Sequence, residues 1–150
     1  MKGPKTFTIG LLLAAMLLAA VPSAALAASN SKEMRRKLFS ITNQSRRNNG
    51  LRSLDLNWRL SRDALQHSRR MAERHSVYHT LNLYRLIRRW HPSVWGENVG
   101  MAGTVSRVHQ LFMNSSAHRS NVLRTGYSKV GIGVFRGGGR IWATVMFYGG

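Results

Sequence analysis

The amino-acid sequence predicts an α+β domain in which the helices come first and the strands last. Apolar residues recur at helical spacing from Ser31 onward, whereas residues 129–147 alternate with a period of two. The glycine-rich segment "RGGGR" divides that final stretch and predicts a hairpin turn. Helices and strands segregated along the chain favour α+β over alternating α/β units.

The first 27 residues have the composition of a signal peptide. Lys2 and Lys5 precede an almost wholly apolar run, Pro22 ends it, and Ala25-Leu26-Ala27 supplies small residues for cleavage. The sequence therefore predicts a signal peptide over residues 1–27, secretion by the general secretory route, and one domain over residues 28–150. The chain contains no cysteine, so packing rather than disulfides must stabilise this domain, which we expect to be a monomer.

Four helical stretches are predicted before the hairpin. The first runs over residues 31–49 and stops at Gly50, and the second runs over residues 58–75 with Asn57 or Asp55 as its N-cap. A third covers residues 81–90, and Thr104 caps a fourth that continues through Phe112.

The penultimate strand has glycines on one face. Gly131 and Gly133 alternate with three apolar residues, and glycines aligned in this way indicate that another element approaches the strand backbone closely. A tightly packed helix would account for them.

The chain is strongly basic. Without Lys2 and Lys5, 21 basic residues face five acidic ones, a net charge of +16. Many are paired arginines, as at Arg35-Arg36, Arg46-Arg47, Arg69-Arg70 and Arg88-Arg89. Outside a cell, such charge predicts non-specific binding to anionic polymers or a membrane surface, and no specific nucleic acid.

Three side chains are candidates for a shared site: His79 after the second helix, Glu97 in a predicted turn "GEN", and His118 in "HRSNVL". Two imidazoles and one carboxylate form the ligand set of some zinc sites that keep an open position. Each also has a simpler interpretation. His79 would be a cation at a helix end, Glu97 a partner of one of the arginines, and His118 a helix cap. Three other histidines, His67, His91 and His109, have no recognisable partners.

Catalytic patterns are weak in this sequence. Ser115 and Ser116 lie near His118 but outside a Gly-x-Ser-x-Gly elbow, and no second acid accompanies Glu97 for hydrolysis by paired carboxylates.

Five motifs in order give the chain a family resemblance. They are "TNQSRRNNGLRSLDLNWRLSRDALQHSRRMAE", His79, "GENV", "LFMNSSAHRSNVL", and "YSKVGIGVF" followed by "IWATVMF". In this order the chain resembles the CAP superfamily of cysteine-rich secretory proteins, antigen 5 and pathogenesis-related proteins, in its short bacterial form. The resemblance implies a three-layer α-β-α sandwich with a central antiparallel sheet and a surface cleft.

The resemblance also implies site residues. His79 and His118 match the two cleft histidines of the family, and Glu97 matches the first of two glutamates. Ser115 stands where the second glutamate is expected, which weakens both a metal site and an acid/base site. Asn98 would fix the loop that carries Glu97, since asparagine side chains bond nearby backbone.

The sequence thus predicts a secreted binding or interaction module with a His-Glu-His cleft. The sequence predicts no required cofactor, and the chemistry of His79, Glu97 and His118 predicts at most weak zinc binding. The ligand could be a lipid or another cell-envelope component. A cationic polyanion-binding protein and a hydrolase using the cleft are the two alternative functions.

Overall fold

The chain folds into one sheet covered by helices on both faces. The computed structural model describes residues 23–150. Its elements in chain order are α1 (Ser23–Asn48), β1 (Asp55–Leu56), α2 (Trp58–Glu73), α3 (Leu83–Ile87), a 3₁₀ helix (Arg88–Trp90), β2 (Val94–Ala102), α4 (Val105–Asn114), α5 (Ser116–Val122), β3 (Lys129–Gly137) and β4 (Arg140–Gly149).

The sheet has the strand order β1-β3-β4-β2. The predicted hairpin is confirmed: β3 and β4 are antiparallel and are joined through Gly138 and Gly139, which both have positive φ. β2 pairs antiparallel with β4 along its full length, so the three long strands form the predicted antiparallel sheet. The two-residue β1 adds a short parallel edge beside β3.

Alternation along β4 connects the sheet to both helical layers. Ile141, Ala143, Val145 and Phe147 are buried in a core shared with α1, α4 and α5. The intervening residues Trp142, Met146 and Tyr148 are buried against α2 and α3. One strand therefore has apolar residues on both faces, as expected for a sheet covered on both sides.

The glycines of β3 allow α2 to lie directly on the sheet. A Cβ atom at Gly133 would stand 2.1 Å from the backbone carbon of Ala64, and one at Gly131 would stand 2.4 Å from Leu60 Cγ. The close approach predicted from these glycines is confirmed, and the approaching element is the second helix.

Two predicted elements differ from the observed ones. The "GEN" segment lies inside strand β2 and not in a turn, because its pairing with β4 outweighs the low strand preference of glycine and asparagine. The stretch 81–90 is not one helix: α3 starts at Leu83, capped by the Asn82 side chain, and passes into a 3₁₀ turn that ends at the left-handed residue His91.

The predicted signal peptide falls largely outside the described residues. Helix α1 begins at Ser23, ahead of the predicted cleavage point after Ala27. None of the helices within residues 23–150 combines the length and the hydrophobicity that crossing a membrane requires.

Candidate functional site

Glu97 is a buried carboxylate on the edge strand β2. Its side chain is 5% exposed, and its Oε2 accepts hydrogen bonds from His79 Nδ1 and from the backbone N–H of Thr80, both at 2.8 Å. The Thr80 hydroxyl donates to Oε1. Both carboxylate oxygens therefore accept hydrogen bonds from residues 79–80, and this one side chain fixes that segment to β2.

This contact sets the orientation and tautomer of His79. An ionised carboxylate only accepts, so Nδ1 must carry the proton, and neutral His79 keeps its lone pair on Nε2. The His79 side chain is 61% exposed. A carboxylate that orients an exposed imidazole in this way is the usual outer partner of a ligand-binding histidine.

A second histidine supports the loop that carries His79. His67 lies on α2, is 2% exposed, and its Nε2 is 2.7 Å from the carbonyl oxygen of Tyr78. The rings of His67 and Tyr78 also meet edge to face, with their centroids 5.1 Å apart. The interpretation of His67 as a residue without a partner was wrong, because its partner is a backbone carbonyl that no sequence motif marks.

Asn98 connects β2 to α5. Its Nδ2 donates to the carbonyl oxygen of His118 at 2.9 Å, and its Oδ1 accepts from Asn121 Nδ2 at 2.9 Å. Asn121 also donates to the backbone oxygen of Glu97. Asn98 therefore fixes a helix to the strand, rather than a loop as the sequence predicted.

Glycine at position 96 makes room for this network. A Cβ atom there would lie 2.3 Å from the Tyr127 hydroxyl and 2.7 Å from Asn121 Oδ1. The glycine beside Glu97 thus admits the polar side chains that join β2 to α5.

His118 contacts Asn98 through its backbone carbonyl, while its ring packs against another residue. Its imidazole is half-buried and packs 5.2 Å from the ring of Phe112. Burial lowers the pKa of His118, and the charge of nearby His79 lowers it further. Both effects favour the neutral form of the His118 imidazole over the protonated form.

The structure brings the predicted residues together only in part. His79 and Glu97 are in direct contact, and Asn98 contacts the His118 backbone. Ser115 forms the junction between α4 and α5, where its N–H donates to Leu111 and its carbonyl accepts from Arg119. Its backbone role is clear, and no hydrogen bond among residues 23–150 connects its side chain to Glu97.

The predicted zinc ligands His79, Glu97 and His118 are not gathered into one cluster. Within residues 23–150, no three His, Asp or Glu side chains are grouped so that they could hold a metal ion. Glu97 faces His79 and Thr80 with both oxygens, which suits an orienting residue better than a metal ligand. Zinc binding by these residues stays a prediction.

A pocket opens beside His79. It has a volume of about 380 Å³ and is lined by residues of α2, the following loop and α3: His67, Arg70, Arg74, Tyr78, His79, Thr80, Leu81, Asn82 and Leu86. The lining includes arginines and aliphatic side chains but no carboxylate. We call this the His79 pocket.

Sequence reasoning missed Thr80, Asn121 and the arginines of the His79 pocket. Thr80 follows His79 directly, and Asn121 belongs to the quoted motif "HRSNVL", so both were within reach as polar residues adjoining candidate ones. Arg70 was noted only as part of the general basic charge.

The comparisons with known proteins agree with the fold and the motif order. A family model described as the cysteine-rich secretory protein family, CAP, matches residues 39–147. The chain belongs to this family. An uncharacterized protein of Bacillus subtilis, YkwD, is 28% identical over an alignment of 130 residues, and the match covers 82% of this chain and 50% of YkwD.

Solved structures of the same class are similar in fold. An extracellular protein of Bacillus anthracis containing an SCP domain aligns with a TM-score of 0.71 at 21% identity, over 87% of this chain and 44% of that one. An outer surface protein of Borrelia burgdorferi aligns with a TM-score of 0.71 at 20% identity, over 79% of this chain and 93% of that one. A cysteine-rich secretory protein of Staphylococcus aureus aligns with a TM-score of 0.67 at 23% identity, over 80% of this chain and 39% of that one.

This chain therefore spans half the length of YkwD and less than half of the B. anthracis protein. At these identities, the structural likeness supports the α-β-α sandwich alone.

Proposed function

We propose that this protein is an extracellular binding module that takes an anionic amphiphile, such as a lipid with a carboxylate or phosphate group, in the His79 pocket. The signal peptide predicted over residues 1–27 supports an extracellular location. The structural neighbours, which are described as extracellular or outer-surface proteins, support it too.

The lining of the His79 pocket carries this proposal. Arg70 and Arg74 supply donors and positive charge, and His79 adds the polar edge of its ring. Leu81 and Leu86 supply apolar surface within the same pocket of about 380 Å³. A ligand with one anionic group and a short apolar segment complements such a lining, since arginine binds carboxylate and phosphate in a bidentate fashion.

The environment of Glu97 favours an orienting role for this carboxylate over the role of a general base. A general base needs a lone pair directed at the substrate, but the Glu97 oxygens accept from His79 and Thr80 instead. Glu97 is better placed to hold His79 at the edge of the pocket.

Native mass spectrometry tests the proposal. The processed protein, beginning near residue 28, is incubated with a total envelope lipid extract, repurified without detergent, and measured intact. We expect lipid adducts on the wild type, and their loss in His79→Asn and in Arg70→Gln/Arg74→Gln.

Two controls match these changes. His91→Asn alters an exposed histidine outside the pocket, and Arg36→Gln/Arg140→Gln removes the same charge elsewhere; both should keep the adducts. A wild type without adducts, or pocket variants that retain them, would contradict the proposal.

The basic charge favours a second candidate function, adhesion to anionic polymers of the envelope. The net charge of +16 outside the signal peptide supports it. Its affinity would depend on salt and on total charge, and not on the identity of the residues in the His79 pocket.

A further inference from the structure

The segment that follows the His79 pocket exposes large apolar side chains. Leu81 is fully exposed, Tyr84 is 46% exposed, and Trp95 is 43% exposed. The rings of Tyr84 and Trp95 lie 4.9 Å apart, which joins α3 to the start of β2 in one aromatic surface. A globular domain has little reason to leave a contacting aromatic pair in water, with an exposed leucine three residues before it, unless another apolar phase covers them.

Basic side chains surround this aromatic surface. Arg85, Arg88 and Arg89 are exposed on α3 and the 3₁₀ turn. Asn82, Tyr84, Arg85 and Arg88 line a depression of about 330 Å³. The sequence from residue 74 to residue 96 contains no acidic residue, so this part of the surface presents positive charge alone.

We infer that Leu81, Tyr84, Trp95, Arg85 and Arg88 form a docking face for an anionic lipid bilayer. Tyrosine and tryptophan are the side chains that prefer the boundary between water and hydrocarbon, because each joins an apolar ring to a polar group. In this arrangement Leu81, Tyr84 and Trp95 enter the interface, while Arg85 and Arg88 meet lipid phosphates at the depression. Charge complementarity and the Tyr84–Trp95 pair select a bilayer over an uncharged protein partner.

The docking face lies next to the site described above. Leu81 and Asn82 line the His79 pocket as well, and Trp95 precedes Glu97 by two residues on the same side of β2. A bilayer bound at this face would place the mouth of the His79 pocket at the lipid surface. The inference does not depend on the proposed ligand, since the face can dock whether or not the pocket is filled.

Vesicle co-sedimentation tests the docking face. The protein that starts near residue 28 keeps all core residues, and it also lacks the apolar run of the predicted signal peptide, which would bind lipid by itself. The vesicles are pure phosphatidylcholine, or phosphatidylcholine with a third of phosphatidylglycerol. We expect binding to the anionic vesicles, and a fall in the partition coefficient of about tenfold or more in Tyr84→Ser/Trp95→Ser, which leaves the net charge unchanged.

Matched controls separate the face from the general charge. Trp58 is 57% exposed at the start of α2, where its ring lies against Arg35 of α1, so Trp58→Ser should bind like the wild type. Arg85→Gln/Arg88→Gln should lose about tenfold or more, whereas Arg36→Gln/Arg140→Gln, with equal charge loss on α1 and at the far end of the hairpin, should lose much less.

A quenching experiment keeps the test valid if a serine variant folds poorly. Lipids brominated near the headgroup should quench the tryptophan fluorescence of the wild type and of Trp58→Phe, and quench Trp95→Phe much less. The inference is overturned if Tyr84→Ser/Trp95→Ser folds and binds vesicles as well as the wild type, or if both arginine-pair variants lose the same fraction of vesicle binding. It is also overturned if pure phosphatidylcholine vesicles bind the protein as well as anionic ones. Full quenching of Trp95→Phe fluorescence would overturn it too.

Discussion

The Arg46 guanidinium donates a hydrogen bond to the carbonyl oxygen of Val122 at 2.8 Å, deep in the domain. Arg46 is 1% exposed, and it also donates to the carbonyls of Arg52, Arg124 and Tyr127. The carbonyl of Val122 belongs to the last turn of α5, where the helix dipole favours a positive charge. One side chain thus holds together the ends of α1 and α5 and the two loops that follow them.

Replacing Arg46 should destabilise the fold severely. Arg46→Met leaves several buried carbonyls without donors, and we expect a loss of about 3 kcal/mol in the free energy of unfolding. Arg46→Lys should recover little, since an ammonium group lacks the planar fork that reaches four carbonyls. Chemical denaturation measures both. Arg47→Met, at an exposed neighbour, is the control and should change stability by less than about 0.5 kcal/mol.

The contact between α2 and β3 should not tolerate a methyl group. Gly133→Ala places a Cβ atom 2.1 Å from the backbone of Ala64, so helix and sheet must separate. We expect a loss of about 3 kcal/mol or more, or no folded protein. Gly103→Ala is the matched control, because a Cβ atom there meets nothing within 4 Å. Equal melting temperatures for the two variants would contradict this account of the β3 glycines.

Much of this fold could be predicted because its signals are local. The N-caps Asn57 and Thr104, the hairpin around Gly138 and the glycines of β3 each follow from one residue type in one backbone context. Strand β2 could not be predicted in this way. Its glycines and asparagine are unfavourable in an isolated strand, and they are accepted because β4, Asn121 and Phe112 pack against them.

The site was predictable to a similar extent. The motif order identified His79, Glu97 and Asn98, although the partners of Glu97 and Asn98 lie 18 and 20 residues away in separate motifs. Arg46 and His67 were out of reach, because both bond to backbone carbonyls and belong to no motif that marks such a partner. A sequence marks such an arginine as surface charge, and only the fold shows it buried.

Stability should fall as the pH drops below about 6.5, the ordinary pKa of histidine. Burial lowers the pKa of His109, whose Nε2 bonds Ser45 at 2.8 Å, and burial with the nearby His79 charge lowers that of His118. The unfolded chain then binds more protons than the folded one, so acid favours unfolding until the folded groups also protonate. Each group contributes at most about 1.4 kcal/mol per pH unit. Urea titrations between pH 7.5 and 5 should show this slope, and His109→Gln should reduce it; an unchanged slope would exclude His109 as a source.

Heparin should bind through charge alone. Its chains carry no apolar surface, so binding should be lost by about half-molar salt, where the screening length falls below about 5 Å. Tyr84→Ser/Trp95→Ser should elute from a heparin column at the salt concentration of the wild type, because the net charge is the same. Retention beyond 1 M salt would instead indicate a shaped site for the polymer.

Zinc should bind weakly, with a dissociation constant that is micromolar or higher. The structure offers His79 Nε2 as a ligand atom, but Glu97 is turned to His79 and Thr80. Ser115 provides no carboxylate at the position where the family resemblance predicts a second one. The surrounding positive charge also opposes a divalent cation. Because imidazole binds metal only when neutral, the affinity should decline as the pH drops through about 6.5.

Calorimetry at pH 7.5 tests this expectation for zinc. His79→Ala should abolish binding, and Glu97→Gln should weaken it by about tenfold through loss of the orienting carboxylate. The control His91→Asn should leave binding unchanged. Binding of nanomolar strength would mean that these residues rearrange into a complete metal site. If no zinc binds, and Glu97→Gln lowers the melting temperature, the buried Glu97 carboxylate acts to hold residues 79–80 on β2.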